Sequence, residues 1–142
     1  MQIAGAEASK SIVAYKHGCV AVVSGKIVAK GFNNYRTYSR DGLINQTCSC
    51  HAEIDVLRKC KKRNITKKIT LYIARIMQND PYTLNISRPC KECYHIMKSF
   101  NIKRLVYSDR CGQIVNNNMI DFVSTFTSSG QAAISQSRVK LF

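Results

Sequence analysis

Two short stretches constrain this chain more than anything else in it: Cys50-His51-Ala52-Glu53 and Ser87-Arg88-Pro89-Cys90-Lys91-Glu92-Cys93. Together they supply one imidazole, two thiols three residues apart, and a carboxylate two residues from the imidazole. On a helix, Cys90 and Cys93 lie one turn apart, so their sulfurs can converge on one ion. His51 must then arrive from a second element. Three protein ligands leave one coordination position open, which is the pattern of catalytic zinc; structural zinc is usually closed by four. In a helix Glu53 is aimed to a different side from His51. It is poorly placed as a fourth ligand and better placed to handle the proton of a bound water. Zinc lowers the pKa of such a water toward neutrality, and a helix N-terminus favours the thiolate form of Cys90.

The flanking sequence predicts what holds the two pieces. Ile3, Ala6, Ser9/Lys10 and Val13 form a weak stripe for an N-terminal helix, with Gly5 against it. His17 to Ser24 and Lys26 to Gly31 read as two strands joined at Ser24-Gly25, a β-hairpin. Their continuous apolar character suggests a sheet covered on both faces. A helix is expected from Ser49, as N-cap, to about Arg63, with Glu53, Leu57 and Cys60 on one face. Lys59, Lys61, Lys62 and Arg63 suit its C-terminal dipole, a reading preferred to a dedicated nucleic-acid stripe. Ile69 to Met77 is a third strand. Pro89 suits the first turn of a helix running to about Phe100, and Arg104 to Ser108 is a fourth strand. Gln113-Ile114-Val115 suggests a short fifth strand, broken by Asn116-Asn117-Asn118. Ile120 to Phe126 is apolar enough to pack, and residues 130–142 read as a loop or frayed tail. The order predicts an α/β fold: a three-layer α/β/α sandwich with a mixed sheet of four to five strands, in a single domain spanning residues 1–142.

Three bulk properties narrow the function. Seven cysteines, an odd number without an export signal, favour metal ligation and buried thiols over a disulfide framework. No apolar run approaches the roughly 18 residues of a membrane span, so a cytoplasmic protein with no membrane partner is expected. The net charge of +14, from 22 basic and 8 acidic residues, suits polyanionic partners or anionic substrates as well as a plain basic surface. Between Phe32 and Thr47, Tyr35, Arg36, Tyr38 and Arg40 interleave aromatics with arginines. That pattern suits an exposed basic loop or one that stacks and pairs with a nucleotide.

His51-Ala52-Glu53 followed by Pro89-Cys90-Lys91-Glu92-Cys93 resembles the H-x-E…P-C-x-x-C signature of the cytidine/deoxycytidylate deaminase superfamily. The resemblance extends from Ala14 to Ser108 and includes the hairpin ending in Gly31-Phe32-Asn33. It implies a cytidine deaminase-like fold and a Zn2+ cofactor held by His51, Cys90 and Cys93. It further implies that Glu53 shuttles protons, that the Ala52 backbone and the Cys90 N–H contact the base, and that Asn33 binds the sugar hydroxyl.

Arg36 and Arg40 are expected to meet a phosphate, which favours a cytosine nucleotide or nucleoside, dCMP or CMP, as substrate. The alternative is a polynucleotide deaminase acting on tRNA adenosine or single-stranded cytosine. It is suggested by the charge and by the likeness of Ser87-x-Pro89-Cys90 to the Ser-x-Pro-Cys of polynucleotide cytosine deaminases. A non-catalytic zinc module that binds nucleic acid is disfavoured by Glu53, which a closed site would not need. A second, structural zinc at His17, Cys19, Cys48, Cys50 or Cys111 is less expected than buried free thiols. Assembly into a homo-oligomer is compatible with the family.

Overall fold

A computed structural model describes residues 1–11, 16–34, 51–76, 86–109 and 112–122. The elements are α1 (Gln2–Ala8), β1 (Lys16–Val23), β2 (Lys26–Phe32), α2 (Ala52–Lys62), β3 (Ile69–Ile76), α3 (Lys91–Met97), β4 (Ile102–Ser108) and β5 (Ile114–Asn118), followed by a 3-10 turn, Met119–Asp121. The strands form one mixed sheet in the order β2-β1-β3-β4-β5.

Connection length dictates strand direction. Ser24 and Gly25 both take positive φ (50° and 78°), the requirement of a type I′ hairpin, so β1 and β2 are antiparallel. β1 is also antiparallel to β3. β3 and β4 are parallel, which demands a crossover, and α3 lies within it. The link from β4 to β5 is too short for a crossover, so these strands are antiparallel.

Strand alternation sends side chains to two faces, and each face is covered. Cys19, Ala21 and Val23 of β1, Leu71 and Ile73 of β3, and Leu105 and Tyr107 of β4 join Leu57 and Cys60 of α2 and Cys93 and Met97 of α3 in the main core. On the other face Ala4 of α1 packs with Val20 and Ala74. The outcome is the expected three-layer α/β/α sandwich. The apposition of α1 to β1 is tight because residue 18 is glycine: a Cβ there would collide with the Ala4 carbonyl oxygen and the Ala8 backbone nitrogen.

Several local expectations need correction. The buried face of α1 is Ala4, Glu7 and Ala8, while Ile3 and Ala6 of the expected stripe are exposed. At so close a contact only alanines fit, and Glu7 is tied to Lys10 at 2.8 Å and Lys30 at 3.8 Å. Val13 lies outside the described residues, as does Ser49; the N-cap of α2 is His51. Pro89 stands just before α3 instead of inside its first turn, since Cys90 is the N-cap. α3 also stops at Met97, where 3-10-type bonds from Ser99 N–H to Ile96 and from Phe100 N–H to Met97 tighten the chain. β4 begins at Ile102, two residues earlier than expected.

The asparagine run does not break β5 but belongs to it. Asn116 and Asn118 accept hydrogen bonds from Arg104 at 2.9 Å each, and Asn117 donates to the Tyr107 hydroxyl at 2.9 Å. These cross-strand pairs outweigh a poor strand propensity. Of the expected apolar stretch after it, Phe122 is buried against Tyr94 and Tyr107, whereas Ile120 is exposed. Among the described residues no helix is long and apolar enough to cross a membrane.

Candidate metal centre

α2 and α3 both start at the edge of the sheet where β3 and β4 end. His51 is the N-cap of α2 and Cys90 the N-cap of α3; both have extended backbones, and neither side chain caps its own helix. The two side chains turn toward each other instead. His51 Nδ1 lies 3.0 Å from Cys93 Sγ and 3.5 Å from Cys90 Sγ. The three donor atoms all fall within 4.8 Å of one another. One borderline nitrogen and two soft sulfurs at that spacing fit zinc. Among the described residues, His51, Cys90 and Cys93 are the group able to hold a metal ion.

The electrostatics of the metal-free cluster follow from its contacts. Cys90 is lowered to about 4, chiefly by the hydrogen bond from Cys93 and then, against the cost of burial, by His51. Cys93 is raised well above the ordinary thiol value, because its hydrogen bond to Cys90 holds the proton and burial disfavours a second charge. Burial alone would lower His51, yet its hydrogen bond to Cys90 and the thiolate charge prevail and raise it to about 9. Without metal the cluster is therefore a Cys90 thiolate beside an imidazolium and a thiol.

Glu53 is buried in the first turn of α2, close enough to Cys93 that its charge helps to raise that thiol. The expected face of Glu53, Leu57 and Cys60 is buried throughout. Ala52, the first residue of α2, is fully buried beside His51. Asn33 follows β2 at the same end of the sheet as the cluster. Its amide oxygen accepts the His17 N–H at 2.9 Å, its own N–H donates to His17 C=O at 3.1 Å, and its C=O accepts the Ser11 hydroxyl at 2.7 Å. Asn33 is thus held rigidly, with its amide oxygen committed to β1. Arg36 and Arg40 lie outside the described residues.

One site feature escaped the sequence reading. Burial raises the Glu92 carboxyl, and among the described residues its Oε2 is buried without a hydrogen-bond partner. The charge of the ligand helix could be read from the sequence, but not its burial. Of the residues weighed for a second zinc, Cys19 is buried in the main core and His17 sits in β1, while Cys48, Cys50 and Cys111 lie outside the described residues. Among the described residues Cys19, Cys60, Cys90 and Cys93 form no disulfide.

Among the described residues the set has three donors with an acid buried beside it, which is the equipment of a zinc hydrolase; a closed structural zinc would have no use for the acid. The chain belongs to the cytidine and deoxycytidylate deaminase family, since the model of that family's zinc-binding region matches residues 1–109. Membership makes it a zinc-dependent hydrolytic deaminase. No curated protein matches the sequence.

The fold is shared with solved deaminases of low identity. The dCMP deaminase of cyanophage S-TIM5, solved in complex with dCMP and dUMP, is 20% identical, with 77% of each chain covered and a TM-score of 0.56. The cytidine deaminase of Burkholderia pseudomallei is 16% identical, with 89% of this chain and 94% of that one covered and a TM-score of 0.63.

Proposed function

We propose that the chain deaminates a cytosine nucleotide or nucleoside, dCMP or CMP foremost, converting cytosine and water to uracil and ammonia. The observation that carries this reading is the burial of Glu53 against Cys93, next to three convergent metal donors. His51, Cys90 and Cys93 would hold a zinc ion. Bound there, it would supply Lewis acidity, lowering the pKa of a water toward neutrality.

The remaining work falls to the chain's own residues. The Glu53 carboxylate takes a proton from the attacking water and delivers it to ring nitrogen N3; it then takes the proton of the newly added C4 hydroxyl and gives it to the departing amine. Burial of Glu53 keeps bulk water from competing for that proton. The Ala52 backbone and the Cys90 N–H orient the base at the two helix starts. Asn33, fixed by its bonds to His17 and Ser11, presents the sugar contact, while Arg36 and Arg40 take the phosphate.

Part of the basic surplus lies away from the site, which weakens the argument from net charge to a polymer. Lys59, Lys61, Lys62 and Arg63 end α2, Lys67 and Lys68 precede β3, and Lys98 and Lys103 flank the end of α3 and the start of β4. All lie at the end of the molecule away from the metal centre, so this part of the surplus does not line a path to it.

The test is ammonia release from cytidine, CMP, dCMP, single-stranded DNA and tRNA, with Glu53→Ala as control. Turnover of dCMP or CMP is expected. Turnover of polymers alone, falling steeply with salt, would replace this reading by that of a polynucleotide deaminase.

A further inference from the structure

The parallel ladder between β3 and β4 runs from Ile69–Ile102 to Tyr72–Val106 and stops there, although β3 continues to Ile76 and β4 to Ser108. Ser87 spans the gap where the strands part. Its hydroxyl donates to the Ile73 carbonyl at 2.7 Å and accepts the Ser108 N–H at 2.8 Å. The Ser108 hydroxyl lies 2.9 Å from it and, with the Ser87 proton committed to Ile73, acts as donor. One donation and two acceptances use the full capacity of a hydroxyl. The Ser87 N–H also donates to the Ser108 carbonyl at 2.9 Å. Both serines are buried, at 3% and 0% exposure, so water cannot stand in for these bonds.

What this anchor holds is the approach to the metal centre. Only Arg88 and Pro89 separate Ser87 from Cys90, and three residues of chain reach at most about 11 Å. Pro89 fixes its own φ and restricts Arg88 to extended backbone, removing most of the remaining freedom. Cys90 then starts α3, and Cys93 follows one turn later.

We propose that Ser87 is the positioning residue of the metal centre: by bridging β3 and β4 where they diverge, it sets the location of Cys90 and, through α3, of Cys93. The inference rests on the assignment of those two thiols as zinc ligands. Ser87 itself touches neither metal nor substrate.

The test compares Ser87→Ala, Ser87→Thr and wild type for zinc affinity, by competition with a chromophoric chelator, and for the thiolate-to-metal absorption band of the cobalt-substituted protein. Val23→Ala, a core truncation at the far end of the sheet, controls for general loss of stability. Ser87→Ala is expected to weaken zinc binding about tenfold to a hundredfold and alter the cobalt band. Ser87→Thr, which keeps the hydroxyl, restores both, and Val23→Ala lowers the melting temperature with zinc affinity intact. Equal zinc affinity in Ser87→Ala and wild type, or an equal loss in Val23→Ala, overturns the proposal. If Ser87→Ala does not fold, Ser108→Ala removes one of the same bonds; a several-fold loss of zinc affinity supports the proposal and no loss overturns it. A wild type that takes up neither zinc nor cobalt refutes the ligand assignment instead, a result distinct from these.

Discussion

His51 Nδ1 and Cys93 Sγ stand 3.0 Å apart although they are 42 positions apart in the chain. No local element could bring them together. The contact exists because α2 and α3 both begin at the edge where the parallel strands end, the place where open α/β sheets gather their ligands. Loss of either partner should therefore abolish metal uptake without dismantling the sheet. His51→Ala and Cys93→Ala are expected to purify with little zinc by elemental analysis, against about one ion per wild-type chain. Chelation should likewise stop ammonia release, and added zinc should restore it.

Zinc binding should release protons. In the metal-free cluster His51 is raised to about 9 and Cys93 lies above the usual thiol value, so both are protonated near neutrality. Cys90, lowered to about 4, is already a thiolate. Both raised groups must lose a proton to bind metal, so affinity rises with pH, and the rise becomes shallower once the His51 value is passed while Cys93 still holds its proton. Between pH 6 and 8 the zinc association constant should rise by about two decades per pH unit. Chelator competition at a series of pH values measures the slope, and a flat profile would contradict this protonation pattern.

Glu53 and the metal ligands should separate cleanly in function. Glu53→Gln keeps the shape of the buried side chain but removes its basicity. Zinc content is expected to stay at the wild-type level, while kcat for ammonia release falls about a hundredfold to ten-thousandfold. Near-normal turnover by this variant would sink the assigned proton-transfer role.

Two glycines offer a graded test of packing. At Gly18 an added methyl meets backbone atoms of α1, which cannot move without displacing the helix. At Gly31 it meets the Asp55 carboxylate and the Val56 side chain, and the carboxylate can swing aside. Gly18→Ala should lose about 1–3 kcal/mol of stability in urea titrations, and Gly31→Ala distinctly less.

The metal donors were legible in the sequence because their chemistry is carried by residue type and spacing. So were the hairpin and the two core faces, because strand alternation and the Ser24-Gly25 turn are local signals. The misses were of another kind. The asparagines of β5 look like strand breakers until Arg104 and Tyr107 are opposite them. The face that α1 buries depends on Gly18, ten residues beyond the helix. Ser87 drew notice only for its likeness to a motif, since nothing local shows that its hydroxyl ends between Ile73 and Ser108. Each miss is a tertiary partner supplied from elsewhere in the chain.

The small cluster of Ala4, Val20 and Ala74 has a bearing on the order in which the protein can assemble. α1 is made before the strands it packs on, but seven residues are too few to persist as a helix alone. Its floor is complete only when β3 has been synthesised, some seventy residues later. Until then the segment has only β1 to lie against, and its helix is completed late in assembly although it precedes the strands in synthesis.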